Sequence, residues 1–246
     1  MNQYQDIYAA PNVVAQQPVE SRAQFIRKTY LHLAGAIGLF TLLLFASCYT
    51  AIATNSVGTI LKLTSGWGWL VVMGAFMFTS WIADKWARSS NSKSTQYAGL
   101  ALYTCAQALI FTPLILIVFY ALGVEASVGL LSKAGIITAS LFAGISFIAI
   151  TTKKDFSFLG GILKIGGFIA LGLIVVSMMG VGLNLGIWFS GAMCLFAGVS
   201  ILYNTSNMIH HYNTDQYVAA SLGLFASFAL LLWYVIQLLM SFTSSE

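Results

Sequence analysis

Residues 165–214 form the longest stretch of this chain without Asp, Glu, Lys or Arg, and they read IGGFIALGLIVVSMMGVGLNLGIWFSGAMCLFAGVSILYNTSNMIHHYNT. A helix needs roughly 20 apolar residues to cross the hydrocarbon core of a bilayer, so the stretch is long enough for two crossings. A turn between the two is predicted at Gly182-Leu183-Asn184. Continuous apolarity over this length favours helices, because the strands of membrane barrels show short segments of alternating polarity.

The remaining uncharged stretches have the same apolar character. They cover residues 29–61, 63–83, 94–124, 134–152 and 216–245. Together the stretches predict an all-α integral membrane protein, a seven-transmembrane-helix bundle. The seven helices are expected near Tyr30–Ala53, Trp67–Ala83, Tyr97–Ala121, Ala134–Thr151, Leu159–Met179, Leu185–Asn207 and Tyr217–Met240.

The composition agrees with a lipid environment. Hydrophobic residues make up 59% of the 246 residues and charged residues only 7%, whereas soluble domains are about one quarter charged. The lipid bilayer is therefore the expected solvent. The net charge of +4 comes from basic residues scattered between apolar runs. Because they form no continuous basic stripe, nucleic-acid binding is not indicated.

The amino-terminal residues differ from the rest of the chain. Residues 1–22 are polar, contain Pro11 and Pro18, and lack the apolar segment that a signal peptide requires. They are predicted to form a disordered cytoplasmic tail, followed by a membrane domain over residues 23–246.

Lys and Arg residues indicate the orientation, because they collect on the cytoplasmic side of membrane proteins. If the amino terminus is cytoplasmic, the outer loops hold only Lys62 and Lys133. The inner segments then hold Arg22, Arg27, Lys28, Lys85, Arg88, Lys93, Lys153 and Lys154. This bias predicts a cytoplasmic amino terminus and, with seven crossings, a carboxyl terminus outside.

Two ladders of small residues at four-residue spacing predict helix faces that point into the bundle. Small side chains let helix backbones approach closely in lipid, where hydrophobicity does not drive helices together. The ladders are Gly135-Ala139-Ala143 and Ala219-Gly223-Ser227.

The end of the sixth predicted helix carries the densest group of polar residues. Asn204, Asn207 and His211 share one helical face by their three- and four-residue spacing. His210 lies beside them, and Asp215 follows in the next loop. Two interpretations remain open: the face lines the mouth of a water-filled path, or it is a hydrogen-bonded seam between helices. A metal site is not predicted, because adjacent histidines on a helix point about 100° apart.

Few other residues are candidates for chemistry. Lys164 is an intramembrane charge in the fifth predicted helix, and its long side chain is expected to reach the inner interface. The chain has no G-x-S-x-G or H-E-x-x-H motif. Neither a catalytic group nor a cofactor is predicted, and the chain is expected not to be an enzyme.

Four stretches resemble the transmembrane Bax-inhibitor family. Residues 152–161 (TKKDFSFLGG), with Lys153, Lys154 and Asp155, resemble the family signature between the fourth and fifth helices. Residues 25–30 (FIRKTY) resemble the start of its first helix, and Pro113 matches a proline of bacterial members. Residues 203–209 (YNTSNMI) and 215–217 (DQY) resemble its sixth-helix end and seventh-helix start. The run TSNMIH at 205–210 is similar to the bacterial YccA-like branch.

The resemblance implies a seven-helix bundle in the bacterial inner (plasma) membrane. Some members of the family are pH-sensitive calcium leaks that depend on aspartates of the sixth and seventh helices. The corresponding positions here are Asn204 and, by alignment of residues 220–224, Phe225. Because an amide does not titrate and a phenyl ring coordinates no calcium, proton-gated leakage is not expected.

The resemblance to the YccA-like branch implies a different role, restraint of an FtsH-type ATP-dependent membrane protease. The first functional hypothesis is therefore a non-catalytic regulator of membrane protein turnover or envelope stress. The second is a channel or transporter for calcium, protons or another small cation, since backbone carbonyls and asparagine can also line a cation path.

Overall fold

The computed structural model describes residues 13–89, 92–152, 154–179 and 185–243, and nearly all of them are helical. This confirms the predicted all-α class. A short 3-10 helix at Val14–Gln16 comes first. The α-helices are α1 (Val19–Ala53), α2 (Val57–Leu63), α3 (Trp67–Ala87), α4 (Lys93–Thr151), α5 (Leu159–Met178), α6 (Gly186–His210) and α7 (Tyr217–Thr243).

α4 contains a break that reverses the chain. A straight helix of its 59 residues would be about 88 Å long, nearly three times the thickness of the hydrocarbon core. Gly123 has φ 75° and ψ 174°, a conformation that only glycine adopts easily. Ser127 Oγ donates to Val118 O at 3.0 Å, although residues nine apart in a straight helix are separated by about 13 Å. α4 is therefore two arms, residues 93–122 and 124–151.

The prediction of a loop between the third and fourth membrane helices is wrong, because residues 124–133 belong to the second arm of α4. Charged residues such as Glu125 and Lys133 mark where a helix leaves the hydrocarbon. They do not mark where it ends, since backbone hydrogen bonds can continue into the aqueous phase.

Among the described residues, five helices are long and apolar enough to cross a membrane: α1, α4, α5, α6 and α7. α2 and α3 meet at an angle of 84° and raise the number to six if they form one span. This count treats α4 as one helix. The structure thus supports a polytopic membrane protein.

α7 lies at the centre of the bundle, where it contacts α1, α3, α4 and α6. Its small-residue ladder was predicted correctly: Ala219 and Ser227 are buried, and Gly223 faces α6. The ladder predicted in the second arm of α4 is wrong, because Ala139 and Ala143 are exposed. The buried residues of that arm include Ala134, Thr138, Phe142 and Ser146.

One end of the bundle gathers the amino-terminal segment and three connections: α3 to α4, α4 to α5, and α6 to α7. Lys93 Nζ donates to Asp215 O at 2.6 Å, and Phe156 N–H donates to Ser206 Oγ at 2.9 Å. Because Arg88, Lys93 and Lys154 all lie here, we call it the basic end.

Residues 13–22, predicted to be part of a disordered tail, are folded against the basic end. Val14 N–H donates to Tyr212 O at 3.0 Å, Val14 is fully buried, and Val13 forms an isolated antiparallel bridge with Asn213. The apolar pair at 13–14 provides the contact that the polar surroundings concealed in the sequence. Residues 1–12 lie outside the described part of the chain, so the prediction of disorder stands untested there.

Candidate functional site

The α4–α5 loop and the end of α6 form one group at the basic end. The backbone N–H of Phe156 donates to Ser206 Oγ at 2.9 Å. His211 Nε2 donates to Asp155 Oδ2 at 2.9 Å. Asp155 Oδ1 accepts a further bond from Ser157 N–H at 2.9 Å, which fixes the carboxylate in the loop. Two segments that the sequence suggested separately are therefore in contact.

The Asp155 carboxylate is held in its ionised form. Its slight burial raises its pKa, but the hydrogen bonds from Ser157 N–H and His211 lower it by more, so the pKa lies below its usual value. The side chains of Asp155 and His211 are 39% and 48% exposed, and pairs this exposed contribute at most about 1 kcal/mol. The pair therefore orients the loop rather than stabilising the fold.

The other predicted residues of this region are separate from that pair. His210 Nδ1 donates back to Ser206 O at 2.9 Å, and the two histidine rings lie 6.5 Å apart. Asp215 participates through its carbonyl, which accepts from Lys93. Lys154 is exposed, and Lys153 lies outside the described residues. The polar residues that the sequence suggested near the end of α6 therefore make separate contacts and do not form one site.

Asn204 lies in a polar seam between α6 and α7. Its Nδ2 donates to Ser227 Oγ at 2.8 Å and to Ser200 Oγ at 3.3 Å, and the two serine hydroxyls lie 2.8 Å apart. A Cβ added at Gly223 would lie 3.3 Å from Asn204 Oδ1. Of the two interpretations left open, the contacts of Asn204 are those of a hydrogen-bonded seam. Asn207, one turn further along α6, is half-buried.

Phe225 does not face Asn204. Its ring is fully buried and makes edge contacts with Phe40 and Tyr103, at centroid distances of 5.8 and 5.9 Å. Phe40 in turn contacts Phe111 at 5.0 Å, so an aromatic cluster fills the region between α1, α4 and α7. The α7 residue opposite Asn204 is Ser227. Asn204 and Phe225 were aligned separately with the two aspartates of the family, and the contact that Asn204 makes with α7 joins an amide to a hydroxyl.

Sequence reasoning missed a second cluster at the basic end. His32 Nδ1 donates to Lys28 O at 2.7 Å, so its Nε2 accepts from the Tyr97 hydroxyl, 3.0 Å away, when the ring is neutral. The hydroxyl oxygens of Tyr217 and Tyr97 are 3.3 Å apart. Lys93 Nζ lies 4.7 Å from the centroid of the Tyr217 ring. Its tyrosines gave no distinct signal in the sequence, because tyrosines at helix ends usually mark the membrane interface.

Lys164 is exposed on α5, the least enclosed of the long helices. Its position five residues after the start of α5 at Leu159 is compatible with a side chain that extends to the interface. The structure places it apart from the groups described above.

The sequence model of the family described as inhibitor of apoptosis-promoting Bax1 matches residues 22–244. The chain belongs to this family. The resemblance predicted from the loop at 152–161, from FIRKTY at 25–30 and from the α6–α7 segments is confirmed. In this Bax-inhibitor protein the family-signature loop is the one that contacts the end of α6 through Asp155 and Phe156.

Relatives of this Bax-inhibitor protein include proteins of several bacteria. An uncharacterized protein of Pseudomonas aeruginosa is 35% identical over 106 residues, which cover 43% of this chain and 47% of that protein. The protein named modulator of FtsH protease YccA, from Escherichia coli, is 36% identical over 97 residues, 37% of this chain and 41% of its own length. The alignments therefore span less than half of either relative.

Proposed function

We propose that this chain is a non-catalytic, multi-pass protein of the bacterial inner membrane that modulates an FtsH-type protease. Family membership and the E. coli relative named as a modulator of FtsH protease support the proposal. The observation that carries it is the anchored segment at the basic end. Because Val13 and Val14 are fixed on the α6–α7 connection, the residues before them are attached where a cytoplasmic partner would be met.

The basic end is proposed to face the cytoplasm, with seven crossings. The bias of Lys and Arg supports this orientation. The crossings would be α1, α3, the two arms of α4, α5, α6 and α7. Each arm exceeds the roughly 20 residues that one crossing needs, and the reversal at Gly123 returns the second arm to the basic end, where Thr151 meets the α4–α5 loop.

Fusions of a reporter that is active only outside the cytoplasm test this topology. We expect no reporter activity when the chain is truncated after Lys93 or Lys154 and the reporter is fused there. Fusions after Lys62 or Lys133 should be active. Fusions that combine alkaline phosphatase with a cytoplasm-active partner give a positive signal on either side and control for expression. Phosphatase activity after Lys93 would contradict the orientation.

Deletion of residues 2–12 tests the contact with the protease. These residues precede the anchored segment, so their removal leaves every described packing contact in place. We expect thermal stability to change little, and co-purification of the FtsH-type protease of the same organism to fall severalfold. Replacing residues 2–12 with a Gly/Ser segment of equal length separates the effect of their sequence from that of length.

Two results would count against the proposal. Equal recovery of the protease with full-length and truncated protein would exclude residues 2–12 as the contact. Absence of the protease from both preparations would contradict the regulatory role and favour an ion leak. The geometry gives a leak less support, because Asn204 and Ser227 carry no titratable carboxylate and the Phe225 ring is fully buried.

A further inference from the structure

A groove of about 400 Å³ lies on the outside of the bundle between α1 and the first arm of α4. The small residues Gly35, Ala36 and Ala101 leave its space between the helices, and Leu31 and Leu39 are 60% and 39% exposed beside it. From Leu31 to Leu39 the groove follows α1 for about 12 Å, most of one leaflet of a hydrocarbon core that is about 30 Å thick. It therefore suits a hydrocarbon chain that enters from the bilayer.

Aromatic rings form the end of the groove that is nearer to the basic end. His32 and Tyr97 line it, with ring centroids 5.4 Å apart. Tyr217, the first residue of α7, lies against both. Its ring centroid is 5.0 Å from that of His32, and its hydroxyl oxygen is 3.3 Å from that of Tyr97. The three rings join α1, α4 and α7 at helix ends, where aromatic residues mark the membrane interface.

Two ammonium groups converge on the Tyr217 ring. Lys28 Nζ lies 5.6 Å and Lys93 Nζ lies 4.7 Å from its centroid. Lys93 Nζ also donates to Asp215 O and to Gln96 Oε1. No carboxylate of the described residues lies within 4.0 Å of either ammonium, because the ion pairs of that part of the chain are elsewhere. Two positive charges held at one ring repel each other, so an anion beside them is stabilised.

We propose that this site binds an anionic phospholipid, with its phosphate beside Lys28 and Lys93 and one acyl chain in the groove. The two charges select a negative headgroup, as basic pockets between membrane helices do, and the apolar walls hold the chain. A soluble phosphate ester would use the charges and leave the groove empty, so a bilayer lipid is the occupant that both parts of the site fit. The assignment is independent of the proposed action on a protease.

Binding of the first lipid to the full-length protein tests this proposal. The protein is purified in detergent, titrated with dimyristoyl phosphatidylglycerol or dimyristoyl phosphatidylcholine, and measured by native mass spectrometry. We expect phosphatidylglycerol to bind at a concentration about 5-fold lower than phosphatidylcholine, as one contact between a lysine and an anionic headgroup would give. Glycerol 1-phosphate at equal concentration should not displace the phosphatidylglycerol, because it has no chain to bury in the groove.

Two pairs of variants test the charges and the groove separately. Lys28→Gln should weaken binding of phosphatidylglycerol about 5-fold. Lys85→Gln is its control and should have little effect, because Lys85 is also exposed near the basic end, with Nζ 5.5 Å from the Trp81 ring centroid, but lies on α3 outside the groove. Ala101→Phe, which fills the groove, should weaken binding of both lipids. Ala34→Phe adds the same ring on an exposed part of α1 outside the groove and should not.

Equal binding of the two lipids by the parent protein would overturn the proposal. So would an equal loss in Lys28→Gln and Lys85→Gln, because binding would then reflect only the net charge of the basic end, or binding that is unchanged by Ala101→Phe. Displacement by glycerol 1-phosphate at equal concentration would assign the charges to a soluble ligand instead. Tighter binding of phosphatidylglycerol after deletion of residues 2–12 would assign the groove to that segment. If Ala101→Phe does not fold, the two lysine variants still decide the question, since both lysines are exposed.

Discussion

Replacement of Gly99 with alanine is expected to destabilise the bundle by about 1–3 kcal/mol, as overpacking of a close contact does, and replacement with valine by more. Gly99 lies in the first arm of α4 where it meets α3. A Cβ there would be 2.5 Å from Ala83 O, 2.6 Å from Ala87 N and 3.0 Å from Trp86 Cβ. Two of these atoms are backbone, so the added carbon must push the two helices apart.

Gly144→Ala is the matched control for this prediction. Gly144 lies in the second arm of the same helix, and a Cβ there meets nothing within 4 Å. Alanine is favoured over glycine inside a helix by up to about 1 kcal/mol, so this variant should be neutral or slightly more stable. The measurement is the fraction of monodisperse protein that survives heating in detergent. Equal shifts for both variants would show that the α3–α4 contact is looser than described.

Phe225→Asp is expected to have the other large effect, a loss of stability of several kcal/mol at neutral pH, since an unpaired buried charge is strongly unfavourable. Phe225 is fully buried between Phe40 and Tyr103, and these rings offer no compensating cation. The introduced carboxyl can remain there only in its protonated form. The loss should therefore shrink in acid and grow as the pH rises above the ordinary value of an aspartate, about 3.9.

Three further variants at the same pair of helices separate the effect of charge from that of side-chain shape. Phe225→Leu removes the ring without adding charge and should lose less stability, without pH dependence. Asn204→Asp is expected to be mild, because the hydroxyls of Ser200 and Ser227 can donate to a carboxylate. Adding Ser227→Asp places two carboxylates side by side, and such pairs cannot both ionise freely. The double variant should therefore be more stable in acid, where one carboxyl is protonated, than at neutral pH. A pH-independent loss in Phe225→Asp would mean that the site is open to water.

The amino-acid sequence by itself determined that the helices lie in a lipid bilayer, that the fold is all-helical, and to which family the chain belongs. Long uncharged stretches are local properties, and any helix of about 20 apolar residues must be removed from water whatever its neighbours are. Helix starts predicted at Trp67, Leu159 and Tyr217 agree with the structure, because changes of polarity mark them. The short stretches that resemble the family, the loop at 152–161 first among them, were sufficient for the family, since each depends only on neighbouring residues.

Only the tertiary structure decided which helix faces meet. A shift of one residue rotates a helical face by about 100°, so the spacing of Ala139 and Ala143 identified a stripe but not its direction, and that stripe is exposed. For the same reason the sequence did not show which α7 residue faces Asn204, and the structure shows that it is Ser227. The ladder Ala219-Gly223-Ser227 was the sequence signal that could have found it.

Contacts between distant segments were also beyond the sequence. The pairing of Asp155 with His211 and the anchoring of Val14 on Tyr212 join residues 56 and about 200 positions apart. Such contacts depend on the order and rotation of all the helices between them. Local composition carries no information about that arrangement, because interhelical contacts in lipid result from detailed packing rather than from a general hydrophobic force.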